Sequence, residues 1–180
     1  MTLHADAVAA LTRWVPPDAE QAGLREEYLT YLRTHGDALS RHCAPDHLTA
    51  SAVIADSDAR RVLLTLHPVV GRWLQTGGHC EPGDASLAAA AAREAAEESG
   101  IPCLRIDPSP VRLSRHPAPC STGRGQHLDV QFLAVSPAAA VERCSAESVA
   151  LGWFAATALP PDTDDSVRAL VDAALVRLRG

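Results

Sequence analysis

Apolar residues recur at helical intervals early in the chain and cluster or alternate in its middle. Over residues 18–33, Leu24, Tyr28, Leu29, Tyr31 and Leu32 give a helix-like spacing. Pro16 and Pro17 precede this stretch, and Asp18 is suited to cap it. Residues 1–48 are therefore read as helical. Two runs, 49–56 and 61–67, read as strands paired through a polar turn, and a third strand is expected near 71–75. The alanine-rich stretch 86–99 is the strongest helix, stopped by Gly100 with Pro102 beyond it. Strands are expected over 111–115, 127–135 and 151–154, with a proline- and glycine-containing loop at 117–126. Residues 164–179 form a closing amphipathic helix. Strands and helices mixed in this order indicate an α/β or α+β domain.

Composition narrows the function classes. A chain of 180 residues fits one domain with a modest extension. Hydrophobic residues at 47% and charged residues at 21% exclude wholesale disorder. The net charge of −6 argues against a nucleic-acid partner, which needs a basic face to neutralise phosphates. No apolar run approaches the ~20 residues of a membrane span, and the first residues lack the pattern of a secretory signal. Five widely spaced cysteines with no CxxC pair are expected to be reduced thiols in a cytoplasmic protein. All sixteen basic residues are arginine, which we read as codon bias.

The chemistry concentrates in residues 77–101. A glycine-rich turn delivers the chain into the alanine-rich helix. Late in that helix stand Arg93, Glu94, Glu97 and Glu98. Spacings of three and four residues put the three carboxylates on one face, where each like-charged pair costs roughly 0.2–0.5 kcal/mol. They also crowd the negative end of the helix dipole. Arg93 can pair with Glu97, but one guanidinium does not neutralise three carboxylates. A solvated acidic face is the bland account; a hard divalent cation such as Mg²⁺ or Mn²⁺, held by oxygen donors, is the chemical one. Gly77, Gly78 and Gly83 allow the backbone to approach another group closely and to lend it a carbonyl.

The stretch Gly78-x5-Asp84-x8-Arg93-Glu94-x2-Glu97-Glu98-x-Gly100-Ile101 resembles the box of MutT-like Nudix hydrolases, whose usual pattern is G-x5-E-x7-R-E-U-x-E-E-x-G-U with U a bulky aliphatic residue. Three departures stand out: Asp84 replaces Glu, the spacer to Arg93 is one residue longer, and position 95 is alanine. A helix-capping role for Asp84 is compatible with the first. The resemblance spans roughly residues 48–178. It implies a Nudix fold, a mixed β-sheet between helices, for a domain over 48–180 preceded by an N-terminal helical extension over 1–47. It also implies a pyrophosphohydrolase that uses Mg²⁺ or Mn²⁺ to cleave a diphosphate linkage in a nucleoside diphosphate joined to another group. Glu94, Glu97 and Glu98 match the carboxylates that bind metal or act as base. The Gly77 carbonyl matches a backbone ligand, and Arg93 the arginine that orients the glutamates. Glu147 is similar to a distal metal ligand or base in some members. A Nudix-fold module that binds a nucleotide without cleaving it is the alternative, against which the intact glutamate set argues.

Weaker candidates surround the box. His79 either touches a phosphate or packs in its turn. Trp73 either stacks on a base or packs in the sheet. His127 and Asp129, two apart on a strand, face one side and are candidates for the substrate cleft. Arg124 at the loop tip is a candidate phosphate contact. His116, Cys120 and His127 form a conceivable zinc set that no motif spacing supports. Trp14, Tyr28 and Tyr31 give the N-terminal helix its apolar face. That helix is expected either to cap the cleft or to form a homodimer interface.

Overall fold

The structure is a computed structural model and describes residues 1–117, 125–144 and 148–179. Two helices open the chain, α1 (Leu3–Arg13) and α2 (Ala19–Thr34). Asp18 caps α2 as the sequence suggests, its carboxylate accepting from the Gln21 N–H at 2.8 Å. The helical reading of residues 1–48 runs too far. After Thr34 the chain passes Gly36 and enters turns, and the Ala44–Pro45 peptide is cis. A run containing Gly36 and Pro45 cannot sustain the hydrogen-bond ladder of a helix.

The described strands are β1 (His47–Ala55), β2 (Arg61–Leu66), β3 (Trp73–Leu74), β4 (Thr76–His79), β5 (Arg105–Ile106), β6 (Arg112–Pro117), β7 (Gln126–Val135) and β8 (Ala150–Ala155). They form one mixed sheet with the order β3-β2-β1-β7-β5, in which β4 also pairs with β1, β6 with β7 and β8 with β2. The central pair β1 and β7 is parallel, with His47 opposite His127 and Ala55 opposite Val135. On its other side β1 changes partner. Thr49 to Ala52 pair with β4, whereas Ile54 and Ala55 pair with β2. Likewise β7 pairs first with β6 and then with β5. Both central strands therefore exchange their outer partner partway along, while staying paired with each other throughout.

The side-chain alternation of the two central strands assigns the layers. Leu48, Ala50, Ala52 and Ile54 of β1, with Leu128, Val130, Phe132 and Ala134 of β7, face one way. They join a core with Leu11 of α1, Tyr28 and Leu32 of α2, and the alanines of α3 (Leu87–Ser99). Val53, Ala55 and Leu133 face the other way and pack under α4 (Asp165–Arg179) through Val167, Leu170 and Val171. Helices thus cover both faces of a mixed sheet, the Nudix fold implied by the box. The N-terminal helices share the first core. The Asp6 carboxylate of α1 also accepts the N–H of Leu87, the first residue of α3, at 3.0 Å.

The sequence of α3 explains both of its ends. Ser86 caps it, accepting from the Ala89 N–H at 3.0 Å. Gly100 ends it in the left-handed region at φ 66°, where a Cβ would meet Arg143 at 2.7 Å. Asp84 is not the cap: its carboxylate turns to the Glu81 N–H and to Arg93. Of the residues read as a glycine-rich turn before α3, Gly77, Gly78 and His79 belong to strand β4, whereas residues 80–86, with Gly83, form the turn into the helix.

Candidate active site

Late in α3, Arg93 organises the acidic face. Its Nε donates to Asp84 Oδ1 at 3.1 Å and its Nη2 to Asp84 Oδ2 at 3.2 Å, a bidentate pair. Its Nη1 donates to Glu94 Oε1 and to Glu97 Oε2, both at 3.0 Å. Nη2 also reaches the His79 carbonyl at 2.9 Å, which ties the helix to β4. The hydrogen bonds donated to Asp84, then the one donated to Glu94, hold the guanidinium charged well beyond its ordinary range. The longer spacer and the shorter acid therefore still deliver a carboxylate to Arg93.

Glu98 reaches back to the same strand, where its Oε1 accepts the Gly77 N–H at 3.2 Å. Gly78 lies directly under Glu94. A Cβ built there would stand 2.7 Å from the Glu94 carboxylate carbon and one of its oxygens. The missing side chain makes the space that Glu94 occupies, so any larger residue at this position displaces the Glu94 carboxylate. Glu94 is largely buried and Glu97 is exposed. Glu94, Glu97 and Glu98 line one cleft of about 1920 Å³ with Gly77 and Arg93.

The far wall of that cleft is the polar end of the central strands. His47, Thr49 and Ser51 alternate along β1, and His127, Asp129 and Gln131 along β7, on the face that farther along carries Val53 and Leu133. Asp129 is 2% exposed and accepts from Thr49 Oγ1 at 3.0 Å and Ser51 Oγ at 2.6 Å. His79 and His127 line the cleft, and His47 lies buried behind them. Burial first, then His47 and Arg41, pushes the His79 imidazole down to about 4. Burial first, then His116 and the other two histidines, pushes His127 down to about 3. Both rings are neutral at pH 7.

The structure brings Arg93, Glu94, Glu97, Glu98, Gly77, His79, His127 and Asp129 to one cleft. Trp73 is not among its lining residues. Its ring packs edge-on against Phe154 at 4.7 Å, on the apolar face under α4. Arg124, Glu147 and Cys120 lie outside the described residues. His47, Thr49, Ser51 and Gln75 were missed by the sequence reading. The signal for the first three was the run of polar residues at alternate positions of β1; Gln75, between β3 and β4, has no such pattern. From the N-terminal side, Thr2, Leu3 and His4 also line the cleft.

The NUDIX domain family matches residues 45–174. The chain belongs to the NUDIX family. Of the three departures of its box from the usual pattern, the contact with Arg93 absorbs two, Asp84 and the longer spacer; the third, Ala95, is buried in the core. Solved structures of low identity share the fold. A hydrolase of the NUDIX family from Clostridium perfringens is 22% identical with a TM-score of 0.62, covering 73% of this chain and 97% of its own. The C. elegans Ap4A hydrolase, in a binary complex, is 19% identical with a TM-score of 0.59, covering 74% and 98%. The NUDIX domain of Shewanella oneidensis NrtR, complexed with ADP ribose, is 21% identical with a TM-score of 0.58, covering 83% and 97%. None of the curated proteins matches the chain. Among the described residues no helix is long and apolar enough to cross a membrane.

Proposed function

We propose that this Nudix-type hydrolase cleaves a diphosphate linkage in a nucleoside diphosphate joined to another group, with Mg²⁺ or Mn²⁺ as its cofactor. The observation that carries the reading is the joint placement of Glu94, Glu97 and Glu98 against Gly77, Gly78 and Arg93 in one cleft. The donor set is all hard oxygen, and the missing side chain at Gly78 leaves room for it, so these residues fit a hard divalent cation. Glu94 and Glu98 would hold the ion, with Glu97 and the Gly77 carbonyl as further donors. Such an ion, when bound, neutralises phosphate charge and acidifies a water.

The residues of the chain supply the rest. Arg93, locked by Asp84, fixes the rotamers of Glu94 and Glu97. A carboxylate of this set, or Glu147, accepts the proton of the attacking water. Arg41 and Arg115 line the cleft and provide positive charge for the substrate's phosphates. His79, His127, Asp129 and Arg124 are the proposed substrate contacts, of which Asp129 acts through Thr49 and Ser51. A cytoplasmic setting accords with five cysteines and no CxxC pair.

A panel of nucleoside diphosphate compounds, assayed with Mg²⁺ or Mn²⁺ for released phosphate or nucleoside monophosphate, tests the reading. The expected result is metal-dependent turnover that falls by orders of magnitude in Glu98→Gln with the fold retained. Tight binding of one compound without turnover across the panel would instead make the chain a nucleotide sensor.

A further inference from the structure

Three histidines meet at the N-terminal end of the two central strands. His47 and His127 stand directly opposite each other in the parallel β1–β7 pair, and His79 sits beside Thr49 on β4. Their ring centroids form a nearly equilateral triangle, 5.1 Å from His47 to His79, 4.9 Å from His47 to His127 and 5.2 Å from His79 to His127. One nitrogen from each ring lies within 4.8 Å of the others. We propose that His47, His79 and His127 bind a divalent transition-metal ion of the zinc class, at a site separate from the glutamates. This goes beyond the proposed hydrolase chemistry and does not depend on it.

The geometry suits such an ion. Two ligands at a Zn–N distance of 2.0–2.1 Å in a tetrahedral site lie about 3.3 Å apart. The Nε2 atoms of His79 and His47 are 3.2 Å apart. The remaining pairs need to close by at most about 1.5 Å, a modest tilt for the half-buried His79 and His127 rings. His47 is also oriented from behind. Its Nδ1 lies 3.3 Å from the Cys43 carbonyl. A carbonyl only accepts, so Nδ1 carries the proton and Nε2 presents its lone pair to the cluster. A backbone carbonyl behind a ligating imidazole is the usual support of a metal-bound histidine.

The chemistry agrees. Burial is the largest cause holding all three imidazoles below their ordinary basicity. Neutral rings can ligate a cation without first losing a proton, and they do not act as a cationic phosphate clamp. Imidazole suits zinc, copper, iron and nickel, whereas carboxylate and water suit magnesium and manganese. Strand pleat keeps the two sets apart. Gly78 faces Glu94 and its neighbour His79 points to the other face of β4. Three protein ligands leave a fourth position open. Because His79 and His127 line the cleft and His47 lies behind them, that position faces the cleft, where a water or an anionic oxygen can fill it. His116 stacks edge-on against His127 at 5.3 Å but is not one of the three converging ligands.

The test uses untagged full-length chain, dialysed against Zn²⁺ with Mg²⁺ in excess, and reads bound zinc by plasma mass spectrometry without substrate. The same samples loaded with Co²⁺ report tetrahedral coordination through visible absorption. About one equivalent of zinc is expected in the wild-type chain and in the Glu94→Gln/Glu98→Gln double variant. His79→Gln and His127→Gln, checked for fold by circular dichroism, are expected to bind zinc at least tenfold more weakly and to lose the cobalt band. Either histidine variant suffices, and the fully buried His47 is left intact. Substoichiometric zinc in the wild-type chain overturns the proposal. So does zinc that survives both histidine substitutions, or zinc that departs with the glutamates. Since no turnover is measured, failure here is distinct from failure of the hydrolase reading.

Discussion

The carboxylate of Asp84 meets the guanidinium of Arg93 through two hydrogen bonds, at 3.1 and 3.2 Å, across nine positions of sequence. Asp84 is the most buried acid around Arg93, with 6% of its side chain exposed. Asp84→Asn removes the charge and one acceptor while leaving the shape. Arg93 then loses its anchor and the rotamers of Glu94 and Glu97 loosen. We expect kcat/KM to fall about 10–100-fold, as for other residues that support metal ligands, with a far smaller change in Tm. A loss of fold without a separate loss of activity would make Asp84 purely structural.

Gly78→Ala tests the fit between β4 and α3. The new methyl group would land within 2.8 Å of three atoms of the Glu94 carboxylate, so that side chain must move. Displacing a reacting group by about 1 Å can cost on the order of 100-fold. Activity in Gly78→Ala is expected to drop at least tenfold, and the same substitution at Gly83, whose Cβ would meet nothing within 4 Å, should be nearly silent. Equal effects at the two glycines would contradict the contact.

Asp129 ties the two central strands together inside the cleft. In Asp129→Ala the Thr49 and Ser51 hydroxyls lose a charged acceptor, each bond being worth about 1.5–3 kcal/mol. We expect urea unfolding to show a loss of about 3 kcal/mol or more, and Asp129→Asn a smaller one. A stability near wild type in Asp129→Ala would show that water replaces the carboxylate there.

Asp56, in the turn between β1 and β2, gives a pH signature away from the site. Burial alone would raise its basicity, but N–H groups of Arg60 and Arg61 and the Arg61 guanidinium outweigh it and hold the carboxyl below its usual 3.8. A carboxyl depressed in the folded state binds protons more readily when unfolded. Its stabilisation is therefore complete above about pH 4 and fades as pH falls through the lower folded value. Asp56→Asn should be less stable than wild type at pH 7 and indistinguishable from it in strong acid. A difference that stays constant with pH would assign the effect to packing.

Local signals made much of this fold legible. Ser86, Gly100 and the alanine run specify α3 by themselves, and Asp18 specifies the start of α2. The glutamates of the box stand out because like charges on one helix face need a counter-charge. Strand β4 was not legible: Thr76-Gly-Gly-His carries no alternation to read, and only its pairing with β1 makes it a strand. The two-residue strands β3 and β5 are likewise defined by their partners. His47 escaped because the strand was started at residue 49, after it. No local pattern places residue 47 opposite residue 127; the parallel register across the whole domain does. Asp84 reads as a cap because short acids cap helices well, yet the half-buried Arg93 guanidinium nearby competes for it and wins.

We propose that Glu94, Glu97 and Glu98 form the seat of a divalent cation. Crystals soaked in Mn²⁺ with a slowly cleaved diphosphate compound, measured for anomalous scattering, address it most directly. An anomalous peak within bonding distance of Glu94 and Glu98 is expected. Manganese bound elsewhere, with no peak beside that carboxylate face, would contradict it.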